Sequence, residues 1–344
     1  MSGEKLHRRD FLRRAAALTA TAGVGTSFEE HHLLAYQGGP PRQQRPPMPD
    51  VPGPMPMGKL GNLTASRLIA GHNLVGAQAH ARDLIYVSQL LSHYFTDDKI
   101  LDTYAQYEER GINMAFLRVE ARQLGLAKRY KDERGGKVQW LAQLVINEKD
   151  QTRDLDLACE LGAQAAYIRG LEGDRFFKAG RMDVIASTLG LMKKRGLVAG
   201  LASHMLDTII QAEKDDVGAD FYVKTFNSAK YWSAGPALTP DPNWKPTTQQ
   251  LVQSEFNGES HDNLWETTPR QTAEFMHKVQ KPFVAYKVLA AGAIHPRDGF
   301  EFAFANGADF ISVGMYDFQI AEDVNITKSL LAGGTMERAR PWRT

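Results

Sequence analysis

Two lysines, two histidines and two arginines stand at or near the ends of short apolar runs, and their types suit chemistry on a polar substrate. Lys224 lies in DFYVKTF (220–226) and Lys287 in FVAYKVLA (283–290). Two neighbouring ammoniums depress each other's pKa, which frees one amine to attack a carbonyl. The alternatives are a pair that binds an anionic substrate without covalent chemistry, or two lysines held by acids. His72 closes RLIAGHN (67–73) and His204 closes VAGLASH (198–204). Imidazoles there suit proton transfer near neutral pH. With Asp317 they could instead form a divalent-metal site, although no HxH or HExxH spacing pairs them. Arg118 and Arg169, near Glu120, Gln143 and Glu172, either pair with those carboxylates or clamp an anionic group of the substrate. Asn227 and Tyr316 follow two more runs and join the candidate substrate-binding set.

What would hold these residues together is a repeating alternation. Eight apolar runs, including NMAFLR (113–118), VQWLAQLV (138–145), AAYIRG (165–170) and DFISVGM (309–315), each precede a helix-like stretch. Near-continuous apolar strands alternating with amphipathic helices predict a parallel sheet covered by helices, and eight units predict one closed (β/α)8 TIM barrel. Such barrels carry their chemistry at the C-terminal strand ends, where the residues above fall. Phe221 and Val223 suit the helix-facing side of their strand, which leaves Tyr222, Lys224 and Phe226 inward. Val284, Tyr286 and Val288 share one face of the next strand, and Ala285, Lys287 and Leu289 the other. Adjacent strands lie about 4.8 Å apart, so Lys224 and Lys287 are expected to share the barrel mouth.

The connection after the Lys224 strand runs from Asn227 to about Thr268, far beyond the usual two to six residues. It holds Trp232, Trp244 and Trp265 and a polar cluster around His261. Long connections rich in aromatics read as functional lids. Tryptophan faces suit sugar rings, so Trp232 and His261 are candidate substrate contacts, unless the tryptophans only pack the loop on itself.

Ahead of the barrel, Arg8-Arg9-Asp10-Phe11-Leu12 precedes a small, mildly apolar stretch, Ala15 to Gly25. Residues 1–35 resemble a bacterial twin-arginine signal, which implies the export machinery as a partner and a periplasmic location. Residues 36–58 are rich in proline and glycine and read as a solvated tether, leaving 59–344 for the barrel. The formal net charge of the 344 residues is +1, which gives no electrostatic reason to expect nucleic acid. No run approaches the roughly 20 apolar residues of a membrane span. The single cysteine, Cys159, excludes an intramolecular disulfide.

Two resemblances to known families are carried by particular stretches. KLGNLTASRLIAGHN (59–73) and DDKILDTYAQYEERGIN (97–113) resemble the opening of aldo-keto reductases, in which a short hairpin closes the barrel floor before strand one. That family places a catalytic Asp just after its Gly-Ile-Asn. Here Gly111-Ile112-Asn113 is followed by Met114-Ala115-Phe116-Leu117-Arg118, and the strand-three lysine and strand-four histidine also lack counterparts. GADFYVKTFNSAK (218–230) resembles the strand of deoxyribose-phosphate aldolases that carries the Schiff-base lysine, with one extra residue. AYKVLAAGAIHPRDGFEFAFANGADFISVGM (285–315) is similar to phosphate-binding barrels, and Gly292 and Gly314 would present N–H groups to a phosphate.

Together these features predict an exported barrel enzyme acting on a small polar carbonyl or sugar-like substrate by lysine-assisted lyase, aldolase or isomerase chemistry. Lys224 and Lys287 are its central groups, and His72 and His204 transfer protons. No cofactor is firmly implied. An NAD(P)-dependent aldo-keto-reductase-like oxidoreductase, a metal-dependent hydrolase or isomerase, and a non-catalytic binding barrel remain open.

Overall fold

A strand covered on both faces can be apolar at every position, and the eight runs behave in that way. The computed structural model describes residues 45–78, 85–231, 266–334 and 336–343. The expected signal, much of the tether, and Trp232 and His261 lie outside those residues. A hairpin of β1 (Met57–Leu60) and β2 (Leu63–Ser66) comes first. Then follow β3 (Leu68–Ala70), α1 (Ile85–Tyr94), α2 (Asp97–Glu109), β4 (Met114–Arg118), α3 (Ala121–Arg134) and β5 (Gln139–Leu144). Next come α4 (Arg153–Leu161), β6 (Ala165–Ile168), α5 (Gly170–Lys178), α6 (Met182–Lys194), β7 (Val198–Ser203) and α7 (Leu206–Lys214). The last described elements are β8 (Phe221–Thr225), α8 (Pro269–Met276), β9 (Phe283–Tyr286), α9 (Pro296–Ala305), β10 (Phe310–Val313) and α10 (Asp317–Leu331). Strands β3 to β10 pair in parallel, and β10 returns to β3 through Ile311↔Leu68, Ser312↔Ile69 and Val313↔Ala70, closing the barrel.

Local signals explain the elements. In α2 the Thr96 side chain accepts from the Lys99 N–H at 3.3 Å, and Asp97 and Asp98 sit at the positive end of the helix dipole. Ile100, Leu101, Tyr104 and Tyr107 form its buried face, and Gly111 reverses the chain at φ +85°. The strand around Lys287 is shorter than the apolar run predicts. It ends at Tyr286, because Lys287 adopts φ +58° and Ala290 and Ala291 follow at +46° and +52°. A left-handed non-glycine residue costs about 1–2 kcal/mol, so three in five positions mark a turn imposed by its surroundings.

The faces of β8 are the reverse of the expectation. Phe221 and Val223 belong to the cluster inside the barrel with Ile69, Met114, Leu141, Val284 and Phe310. Tyr222 and Phe226 pack in the layer between strands and helices, and the Tyr222 hydroxyl donates to Glu213 on α7 at 2.6 Å. Both faces are equally apolar, so polarity carried no directional signal. On β9, Val284 and Tyr286 face inward and Ala285 outward.

The barrel floor is built as the aldo-keto-reductase-like opening implied. Leu60 and Ala65 of the hairpin seal the inner cluster from below, with Gly61 at φ +62° making the turn. Beside it, the buried Asp309 accepts from Arg340 Nη2 at 2.6 Å and from the Phe283 and Arg343 N–H groups. The Trp342 ring lies between two guanidiniums, with Arg67 Cζ at 3.5 Å and Arg338 Cζ at 3.3 Å from its centroid. Burial lowers both arginines to about 10.

The chain divides into two units, Met1–Pro47 and Met48–Thr344. The second begins earlier than the expected 59, so the later tether residues pack rather than stay solvated. Met55 is buried, the Val51 N–H donates to Asn325 Oδ1 at 3.0 Å, and Asn325 Nδ2 donates to Asp50 at 2.9 Å. No helix among the described residues is long and apolar enough to cross a membrane.

A chain that starts at Met57 is expected to melt below one that starts at Met48. Loss of the buried Met55 side chain alone removes about 2 kcal/mol, or about 3 °C for a domain of this size. Equal melting temperatures by calorimetry would show that residues 48–56 contribute nothing.

Candidate active site

At the C-terminal end of the barrel five hydrogen bonds converge on Asp174, a residue of α5 that is 2% exposed. Its Oδ2 accepts from the His204 ring Nδ1 and the His204 backbone N–H, both at 2.9 Å. Its Oδ1 accepts from Ser203 Oγ and Thr208 Oγ1 at 2.8 Å and from the Met205 N–H at 3.3 Å. Burial pushes the carboxyl up, but these donors outweigh it and hold Asp174 below the usual carboxylate range. An ionised carboxylate can only accept, so His204 carries its proton on Nδ1 and leaves Nε2 as the basic nitrogen.

His204 lies one residue past β7. Val198 and Ala202 of that strand point inward, and the same alternation turns the imidazole inward. Burial lowers its pKa from 6.5 to about 4. The hydrogen bond and charge of Asp174 oppose the shift, and the Lys287 and Lys224 ammoniums reinforce it. His204 is therefore a neutral, oriented imidazole at pH 7.

Tyr286 faces this base across the mouth, with ring centroids 5.8 Å apart and planes at 52°. Gly170, the first residue of α5, shows how closely the two converge. A Cβ there would lie 2.9 Å from both His204 Cε1 and Tyr286 Oη, so the absence of a side chain makes room for the pair. The Lys287 Nζ lies 6.0 Å from the centroid of the Tyr286 ring.

The remaining expected residues have varied placements. Lys224 does not point into the mouth. Its Nζ donates to Glu266 Oε2 at 3.1 Å and to the Thr225 carbonyl at 2.7 Å, with both charged side chains 1% exposed. Burial raises the Glu266 carboxyl, against the pull of Lys224 and the donors Thr268 N–H and Thr272 Oγ1. Arg118 is ion-paired with Glu120, and Arg169 makes a bidentate pair with Glu172 at 2.6 and 2.7 Å. Both arginines thus take the local-carboxylate alternative. Gln143 Nε2 donates to Tyr167 Oη at 2.9 Å. Asn227 is fully buried and serves the backbone: Nδ2 donates to the Lys287 carbonyl at 3.3 Å and Oδ1 accepts from the Ala229 N–H at 3.0 Å. It thereby ties the turn after β8 to the turn after β9.

The Tyr316 ring is stacked on both faces, 5.5 Å from Phe95 and 5.2 Å from Phe318. Gly292 spends its N–H on the Leu289 carbonyl at 2.9 Å, which takes it from a phosphate, and Gly314 packs closely against Gly71 and Leu74. His72 is buried in the turn after β3, where its carbonyl accepts from the Gly76 N–H. Asp317 is engaged by Lys99 and by Tyr94 Oη. Among the described residues no three His, Cys, Asp or Glu side chains converge as metal ligands.

Asp174, Glu266 and Tyr286 were not among the expected site residues. Asp174 and Glu266 bond across 30 and 42 positions of sequence. Tyr286 had the only available signal, since it ends an apolar run on the face shared with Val284.

No protein-family model matches the chain, and no curated protein matches its sequence. Solved structures with a similar fold include an aldo-keto reductase from Bacillus halodurans at 9% identity, over 80% of this chain and 91% of that one, with TM-score 0.48. A glycerol dehydrogenase from Gluconobacter oxydans matches at 12% identity over 67% of this chain, with TM-score 0.41, and only 62% of its own length is spanned. A protein described as an aldolase matches at 15% identity over 70% of this chain and 90% of its own, with TM-score 0.39. At these levels no residue's role is carried over from them.

Two measurements check the site. The unfolded state binds a proton on His204 near pH 6.5 and the folded state only near 4. Its contribution to stability is therefore complete above pH 6.5 and is lost as pH falls toward 4, by roughly 3 kcal/mol. In His204→Gln that part of the acid dependence is expected to vanish from denaturant unfolding between pH 7 and 4.5; an unchanged slope would mean that the imidazole protonates freely in the fold. Lys224→Ala is expected to cost about 3–5 kcal/mol, because it strands the buried Glu266. Adding Glu266→Gln should recover part of that loss, and a Lys224→Ala protein of wild-type stability would contradict the pairing.

Proposed function

We propose that this protein is an enzyme that moves a proton on a small hydroxy-carbonyl or sugar-like substrate, in isomerase or lyase chemistry. The observation that carries the proposal is the buried Asp174–His204 pair, a neutral imidazole held through Nδ1 on the inward side of the strand end. A base there takes a proton from the carbon next to a carbonyl, and the electron pair moves onto the carbonyl oxygen to give an enediolate. Tyr286 supplies the hydroxyl that faces His204 and can donate to that oxygen. The Lys224 and Lys287 ammoniums, whose field lowers the His204 pKa, also favour negative charge developing on the substrate. Lysine assistance is in this way electrostatic. A Schiff base at Lys224 would first require its amine to leave Glu266.

The Arg8-Arg9-Asp10-Phe11-Leu12 stretch supports export as a folded protein as part of the same proposal.

Incubating the protein with small sugars, hydroxy-ketones and keto acids in D2O, and following the α-proton signals by NMR, tests the chemistry. Exchange is expected for at least one substrate, with a rate that falls as pH drops through about 4, where His204 protonates. His204→Gln is expected to slow exchange by about 100-fold or more. A full panel with no exchange, or exchange indifferent to His204, would remove the assignment.

A further inference from the structure

The polar side chains around the mouth mostly find protein partners, but Thr225 does not. It is the last residue of β8, it is 0% exposed, and its Oγ1 has no hydrogen-bond partner in the structure. Its carbonyl is satisfied by Lys224 Nζ, so the side-chain oxygen alone is left over. A buried hydroxyl without a partner is a standing cost that valine, of the same shape, would avoid.

Its position gives that hydroxyl a use. Thr225 shares the inward parity of Phe221 and Val223, and it pairs in register with Tyr286 of β9. On the other side Ser203 pairs with Lys224, so the next residues along, His204 and Thr225, are also neighbours. His204, Thr225 and Tyr286 thus form one row across three adjacent strands, all pointing into the mouth. The row offers a basic nitrogen, a hydroxyl that both donates and accepts, and a phenol.

We propose that Thr225 is a substrate-binding residue that takes the hydroxyl beside the reacting carbonyl, so that the site selects α-hydroxy carbonyl compounds over simple ketones and aldehydes. The proposal rests on the proton-transfer assignment of His204 for its carbonyl, but its hydroxyl contact can be tested by binding alone. Neighbouring strands lie about 4.8 Å apart, so oxygens on adjacent carbons of one small molecule can reach Thr225 and Tyr286 together. The Thr225 side chain is fully buried, so contact with it requires the mouth to admit the ligand.

The full chain and its Thr225→Val, Thr225→Ser and Thr225→Ala variants would be titrated with hydroxyacetone and with acetone. Binding is read from the imidazole NMR signals of His204, and melting temperature is recorded for each variant. Thr225→Val is expected to melt at or above the wild-type temperature yet bind hydroxyacetone about tenfold more weakly, with acetone unaffected and Thr225→Ser close to wild type. Should the valine side chain disturb folding, Thr225→Ala reads the same loss. Equal hydroxyacetone affinity in the wild type and in Thr225→Val, or no response of His204 to hydroxyacetone in the wild type, would overturn the proposal. Thr225-dependent binding without deuterium exchange in any compound would retain the hydroxyl contact and retire the proton-transfer chemistry instead.

Discussion

In a closed barrel of parallel strands a side chain has two directions available, toward the interior or toward the surrounding helices, and register settles which one every neighbour takes. That constraint governs the whole molecule. It stacks Ile69, Met114, Leu141, Val223 and Phe310 into the interior, with the β1–β2 hairpin as a base. At the upper end it turns His204, Thr225 and Tyr286 to the same side, while sending Tyr222 and Lys224 outward to acids carried by α7 and by the residues before α8.

The architecture was legible because it depends on periodicity. Eight apolar runs and the helix-like stretches between them follow from local composition, and the runs match the strands to within a few residues. Strand direction was not legible, because Phe221, Tyr222 and Val223 are all apolar enough for either side. A lysine in such a run suggests an exit toward solvent, and only Glu266, far along the chain, shows that it can be buried outward instead. The same distance hid Asp174. Nothing in the sequence near His204 announces that a carboxylate two helices earlier will orient its ring.

The two ends of the barrel manage buried charge by different means. At the floor, Asp309 is surrounded by Arg338 and Arg340, and aromatic faces share the excess positive charge of Arg67 and Arg338. These are rigid contacts with tight packing. At the mouth, charge is arranged in one-to-one pairs such as Arg169–Glu172 and Lys224–Glu266, and burial keeps His204 neutral beside Asp174. Backbone strain is concentrated at that same end, in the left-handed residues from Lys287 to Ala291.

The floor also sets when the protein can become itself. Barrel closure requires β10 to meet β3, and Asp309, just before β10, is satisfied by Arg340 and by the N–H of Arg343, some thirty residues further on. Until those contacts form, β3 stays unpaired on one edge and the buried Asp309 lacks its donors. Closure of the barrel is thereby tied to contacts of high sequence separation, which are slow to form: the floor is the part of the fold that the chain must wait for.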